Sequence, residues 1–220
     1  MLEKVYKQLQ RWMPSEPCAL CKQPVMGEVA LCNSCRPKLP QLIHPPLELH
    51  NDRHWNQIII PFFYKKPLSP LIHQLKFDHK LHYARLFGLL FEAHLQQHDF
   101  IKPDLIIPVP LHKKRLQERG FNQALEIIKQ PAKRLQIPLD RTHCRRIRAT
   151  SAQTSLHASA RKQNLKQAFQ INRSLQGVHV ALFDDVITTG STLLAVAAAA
   201  KKAGAAKIDL WALAYTPPHR

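Results

Sequence analysis

Two spacings of apolar residues alternate along this chain. Val180–Phe183, preceded by Gly177, is a short unbroken apolar run, the pattern of a buried strand. Leu105–Val109 is a second, suited to the centre of a parallel sheet and closed by Pro108 and Pro110. Lys207–Tyr215, which stops before Pro217 and Pro218, is a third. His54–Lys66 reads as a further strand with an aromatic end, and Arg141–Arg148 as a strand with basic flanks. Between these runs the period changes to that of a helix. Pro67–Phe77 opens on prolines suited to a helix start and sets Leu71, Ile72 and Leu75 on one face. Leu81–Leu95 is a second amphipathic helix. A third enters through Gly120–Gln123 and runs to about Gln136, with Pro131 expected to kink or end it. Leu193–Lys202 is a fourth, rich in alanine and broken at Gly204. Residues 1–16 carry Leu2, Val5, Leu9 and Trp12 at helical spacing, as a short packing helix would. The expected fold is α/β, a parallel sheet flanked by helices.

One stretch does not belong to that pattern. Cys18 and Cys21 form one C-x-x-C pair and Cys32 and Cys35 another, followed by a linker marked by Pro37, Pro40, Pro45 and Pro46. Two such knuckles place four thiolates around one tetrahedral ion, with zinc the default metal. The site is closed, so its expected role is to hold together a segment with little core of its own. Redox pairs are the rival reading, but no thioredoxin-like strand-to-helix context surrounds either pair. The expected division is residues 1–45, helix and zinc finger, and residues 46–220, the α/β domain.

Composition narrows the partners. The 220 residues are 45% hydrophobic and 21% charged, a globular balance. Apolar runs fall short of the ~18 residues a membrane span needs, and residues 1–12 lack the apolar core of a secretory signal. A cytoplasmic protein without membrane insertion is expected. Lys and Arg number 32 against 15 Asp and Glu, a formal net charge of +17. Such an excess suits polyanions. The fifth cysteine, Cys144, reads as buried and inert, and His73, His79, His82, His94 and His98 read as surface residues.

The candidate site follows the Val180–Phe183 run. Asp184 and Asp185 stand where that strand is expected to end, and Thr188, Thr189, Gly190, Ser191 and Thr192 make a small hydroxyl-rich turn into the alanine helix. Helix-start N–H groups hold a phosphate, Gly190 lets the backbone come close, and carboxylates accept hydrogen bonds from a ribose diol. The plainer reading is a strand followed by an ordinary helix cap. After Val109 and Pro110 come His112, Lys113, Lys114, Arg115 and Arg119, cations at the end of a neighbouring strand, where open α/β sheets collect ligands. Each also reads as part of a basic surface helix. Lys76 reads either as an anion contact or as a solvated lysine. The polar stretch 149–166, with Gln153, Arg161 and Asn164, reads equally as a mobile hood over the crevice or as a surface helix.

The stretch from Asp184 to Thr192 resembles the phosphoribosyl-pyrophosphate (PRPP) loop of type I phosphoribosyltransferases. In order, the double C-x-x-C, Pro108–His112, Arg119–Gln123, Gln153 with Arg161 and Asn164, and Asp184–Thr192 resemble the ComF family of competence proteins over essentially the whole chain. Ser191 departs from the wider transferase pattern, which commonly has glycine there. The resemblance implies a type I phosphoribosyltransferase-like domain behind a four-cysteine zinc finger. It implies PRPP bound with Mg²⁺ along Asp184, Asp185, Val186, Ile187 and the turn Thr188–Thr192. The diphosphate would meet the backbone at Val109 and Pro110 and the nearby cations. If the protein turns over, Asp184 and Asp185 are the catalytic candidates, stabilising positive character at the sugar C1 as diphosphate leaves. The implied biology is handling of imported single-stranded DNA during transformation, alongside other DNA-uptake proteins such as a helicase. The rivals are a non-catalytic single-stranded-DNA adaptor and a nucleobase phosphoribosyltransferase of salvage.

Overall fold

The computed structural model describes residues 16–46, 49, 55–147 and 168–217. The expectations for an N-terminal helix and for the hood at 149–166 fall outside those residues, apart from Glu16. The elements are β1 (Glu16–Pro17), β2 (Pro24–Val25), a 3₁₀ turn (Arg36–Lys38), β3 (Ile58–Ile59), β4 (Phe62–Phe63), α1 (Leu68–Phe77) and α2 (His82–Gln97). They continue with β5 (Leu105–Pro108), α3 (Lys113–Arg119), α4 (Gln123–Arg134), β6 (Cys144–Arg146), β7 (Phe169–Ile171), β8 (His179–Ile187), α5 (Ser191–Lys202) and β9 (Lys207–Tyr215).

The expected parallel sheet is present. It has five strands in the order β3-β9-β8-β5, and β4 also pairs with β9. Every pairing within it is parallel. The single strand expected over His54–Lys66 is two short pieces, because Pro61 has no N–H to give the ladder. The central strands are buried on both faces, as their unbroken apolar runs require. One face packs on α1, α2 and α4 through Phe183, Phe91 and Trp211, with the Phe91 ring edge-on to Phe183 at 5.1 Å. The other packs on α5, whose Ala195, Ala197 and Ala200 bring its backbone close to Val180 and Leu182.

Polar groups at the opening ends of the strands tie the sheet edge in place. The fully buried Asp209 accepts hydrogen bonds from Asn56 Nδ2 at 3.1 Å and Gln57 Nε2 at 2.8 Å, and His179 Nε2 lies 2.9 Å away. Three partners on one buried carboxylate satisfy it well enough to sit there. They also link β3, β8 and β9 at the end of the sheet away from Asp184.

Pro131 does not end its helix: α4 continues through it to Arg134. The carbonyl of Ile127, deprived of the N–H that residue 131 would have donated, faces Gly88 of α2. A Cβ on Gly88 would lie 2.6 Å from that oxygen and 3.2 Å from Pro131 Cδ. The proline is accommodated because its neighbour has no side chain. Gly88→Ala is therefore expected to cost about 1–3 kcal/mol of stability, read as a lowered denaturation midpoint. An unchanged midpoint would show that the two helices separate at little cost.

Candidate functional site

The site begins where two neighbouring strands part. β5 and β8 pair from Leu105–Val180 to Pro108–Phe183, and Val109 N donates a last hydrogen bond to Phe183 O at 2.8 Å. There β5 stops, since neither Pro108 nor Pro110 has an N–H to continue the ladder. β8 runs on to Ile187, paired among the described residues with β9 alone. The acidic pair thus does not follow the strand, as expected from sequence. It lies inside β8, on the part that has outrun β5. The parting of β5 and β8 puts Asp184 at the carboxyl end of the sheet, beyond the end of β5, where open α/β folds bind ligands.

The two carboxylates stay within reach of each other: the charge of Asp185 and a side-chain hydrogen bond to it act on Asp184, and Lys76 acts on both. Asp185 is buried, and its Oδ2 sits 2.5 Å from Lys76 Nζ of α1. Arg119 is within electrostatic reach on the same side. Lys76, open to two readings from sequence, meets a carboxylate rather than solvent. Asp184 is half-buried, and its Oδ1 accepts the Asp185 N–H at 2.9 Å. Loss of surrounding water and the neighbouring charge of Asp185 hold its carboxyl well above the usual range, with Lys76 pulling the other way. Asp184 also feels Arg146 of β6, which in turn is close to Arg115. In the sequence Arg146 is only part of a basic flank; nothing local marks it, because β6 comes alongside through the tertiary fold.

Beyond Asp185, Val186 is half-buried and Ile187 buried, while Thr188 and Thr189 are exposed. Gly190 is the N-cap of α5, at φ 70°, a backbone conformation that favours glycine. A Cβ there would come within 3.2 Å of Leu49 Cδ2. No side chain caps α5, although Thr189 Oγ1 accepts weakly from Ser191 N at 3.4 Å and donates to Ser191 Oγ at 3.1 Å. The half-buried Ser191 and Thr192 open the helix. Apart from that weak bond to Ser191 N, the first N–H groups of α5 are those a helix start leaves without an intrahelical acceptor.

On the other bank the chain after Val109 is pinned. Asn122 Nδ2 donates to Val109 O at 2.9 Å, and Asn122 Oδ1 caps α4 by accepting from Ala124 N at 3.0 Å. His112 caps α3, its Nδ1 accepting from Lys114 N at 3.3 Å. Lys113, Lys114 and Arg115 are exposed along α3; Arg119, at its end, is half-buried. Of the predicted cations, Arg119 is brought to Asp185, while Arg115 lies close to Arg146, the arginine that meets Asp184.

The cysteines form a separate centre. The sulfur atoms of Cys18, Cys21, Cys32 and Cys35 all lie within 4.8 Å of one another, and those of Cys21 and Cys32 are 3.7 Å apart. A tetrahedron with Zn–S bonds of about 2.3 Å has sulfurs ~3.8 Å apart. Burial pushes the Cys18 thiol up, but backbone N–H groups of Cys21, Cys32 and Leu20 outweigh it and hold it at about 6. Burial and the neighbouring sulfurs push Cys35 up to about 12. One thiolate forms readily and the next are opposed by it, a conflict that a cation at the centre removes. The donor set fits zinc, which would supply no open coordination position. Cys144, the remaining cysteine, is buried in the α/β domain, with its thiol pushed up to about 12 by burial and then by Asp140.

No family model matches the chain. Among curated proteins, the DNA utilization protein YhgH of Shigella flexneri is 38% identical over 207 residues, 90% of each chain. Competence protein F of Haemophilus influenzae is 35% identical over 205 residues, 90% of this chain and 89% of its own. Competence protein ComFC of Bacillus subtilis is 27% identical over 183 residues, 80% of this chain and 68% of its own. Among solved structures, a purine phosphoribosyltransferase from Pyrococcus horikoshii aligns with 60% of this chain and 73% of its own, at 22% identity and a TM-score of 0.38. No helix among the described residues is long and apolar enough to cross a membrane.

Proposed function

Because this chain belongs to the ComF family of competence and DNA utilization proteins, we propose that it binds PRPP in the crevice beside Asp184 and handles single-stranded DNA. The observation that supports this most directly is the parting of β5 and β8, with the Asp184 carboxylate on one bank and an uncapped helix start beyond it. In this reading the 5′-phosphate lies on the N–H groups of Thr188–Thr192. The ribose hydroxyls donate to Asp184. Because both backbone groups of Val109 are already paired, the diphosphate takes the chain beyond Pro110 and the charge of Arg115, Arg119 and Arg146. Asp185 contributes by holding Lys76 in place, and exchanges it for the ligand only if Lys76 moves to a phosphate.

Mg²⁺, when bound with PRPP, would neutralise diphosphate charge. Asp184 is the carboxylate placed to share it, since such ions take one or two carboxylates and otherwise phosphate oxygens and water. Zinc in the cysteine centre would be structural. A crevice of this kind can hold PRPP with or without transferring the sugar, and no acceptor is implied by the residues that line it. Calorimetric titration with PRPP and Mg²⁺ is expected to give one site per chain. No heat and no protection of the protein against thermal unfolding at millimolar PRPP would dismiss the reading.

A further inference from the structure

Phe77 ends α1, one residue after Lys76, and the two side chains do opposite things. Lys76 turns inward to Asp185. Phe77 turns out and is 57% exposed. Its ring is nevertheless held. The guanidinium of Arg119 lies over it, 5.2 Å from the centroid, and the His73 ring is 4.6 Å away on α1. Close by in the chain, the exposed His79 stands edge-on to Phe121 at 5.9 Å, and the exposed His82 lies 4.2 Å from Tyr83. The exposed flank continues along α3 with Lys113, Lys114 and Arg115, and Lys80 follows His79. Asp78 and Glu118 are the carboxylates within these stretches, too few to cancel the cations.

One exposed ring is ordinary on a protein surface; what sets Phe77 apart is its company. Exposed Phe beside Arg, His and Lys is the combination that binds single strands: flat rings for the bases, cations for the phosphates. A folded protein partner would be served as well by the ring but not by the surrounding positive charge. We infer that the surface built from Phe77, His73, Arg119 and the outer side of α3 is a base-stacking platform for single-stranded DNA. It rests on the reading of this chain as a handler of such DNA, and gives that reading a location. A base adds to the Arg119–Phe77–His73 column or displaces the exposed His73 from it. The phosphates on either side then pass along α3. Arg119 also faces Asp185, so the strand is held at the rim of the crevice rather than on a remote surface.

The test is fluorescence anisotropy with the full-length, metal-loaded protein at fixed salt. The probes are labelled oligothymidylate and an oligonucleotide of equal length made of abasic residues, which keeps the phosphates and removes the bases. Wild type is expected to prefer oligothymidylate by about 5- to 150-fold, the range for one stacked base. Phe77→Ala should lose most of that preference while still binding both probes through charge, and Phe77→Trp should restore it. Because Phe77 is exposed, all three proteins should melt alike, and the tryptophan variant keeps the test sound if alanine perturbs α1. If Phe77→Ala keeps the full preference, stacking occurs elsewhere and the patch belongs to a protein contact: the platform is overturned and DNA handling stands. If wild type binds neither probe at low salt, DNA handling itself fails and the platform with it.

Discussion

Losing the metal from the four-cysteine centre is expected to destabilise the whole protein, not only the segment that carries the cysteines. Structural zinc contributes about 10–16 kcal/mol of apparent binding energy to modules of this kind. Here the module does not stand apart. Cys18, Val25, Leu31, Cys35 and Leu39 share one continuous core with Leu68, Leu71, Leu90 and Trp211. Two ion pairs cross the same junction, Arg134 with Glu28 at 2.6 Å and Arg85 with Glu16 at 3.4 Å. Phe63 N also donates to Pro40 O at 2.7 Å. Cys35→Ser removes a buried sulfur ligand from the centre and leaves a hydroxyl that binds zinc poorly. The expected result is loss of the bound metal and a fall of roughly 10 °C or more in melting temperature, taking several kcal/mol at 2–4 °C each for a chain of this size. Native mass spectrometry should show one zinc in wild type and none in the variant. Thiol titration gives a second reading: chelation should expose four fast cysteines, while Cys144 stays slow in its buried place. A wild-type protein that is isolated without metal and melts unchanged in chelator would overturn the assignment.

The sequence carries the parts of this molecule that depend on neighbours along the chain. Lys207–Tyr215 stands out as an apolar run between Gly204 and Pro217, and it is β9 from end to end. The two C-x-x-C pairs announce a four-sulfur cluster because spacing alone brings such ligands together. The Thr188–Thr192 turn is legible because a glycine with positive φ at a helix start leaves a composition trace. Relations set by distance in the chain leave no such trace. The run Val180–Phe183 ends at the first charged residue, but β8 continues through Asp184 and Asp185 since β9 still accepts its hydrogen bonds. The acidic pair looks like one unit in sequence. In the fold, Lys76, more than a hundred residues earlier, claims one of its members in a salt bridge. Pro131 looks like a helix end because the compensating residue, Gly88, lies on another helix.

The salt bridge at one acid and the raised pKa of the other predict opposite effects for the same chemical change at adjacent positions. Asp184→Asn should stabilise the protein at neutral pH. A carboxyl whose pKa is higher in the fold than in the unfolded chain stabilises the fold while it is protonated, and that contribution is lost as pH rises through the folded pKa. For Asp184 burial comes first and the charge of Asp185 second. Wild type at pH 7 therefore bears a cost at this carboxyl, to take up a proton or to stay ionised in the fold, that an amide lacks, and the Asn oxygen still accepts the Asp185 N–H. The gain should be on the order of 1 kcal/mol. It should shrink as pH falls toward the unfolded carboxylate value of about 3.9, where both proteins carry a neutral group. Asp185→Asn should do the reverse, costing about 3 kcal/mol, because it leaves Lys76 charged and poorly solvated. Affinity for PRPP should fall about 10- to 100-fold in Asp184→Asn, the worth of charged hydrogen bonds to a diol, although that variant is the more stable one. A protein that keeps a costly charge at the mouth of its crevice has a use for it. If Asp184→Asn is less stable than wild type at pH 7, or more stable with PRPP affinity intact, the carboxylate is structural and the ligand lies elsewhere.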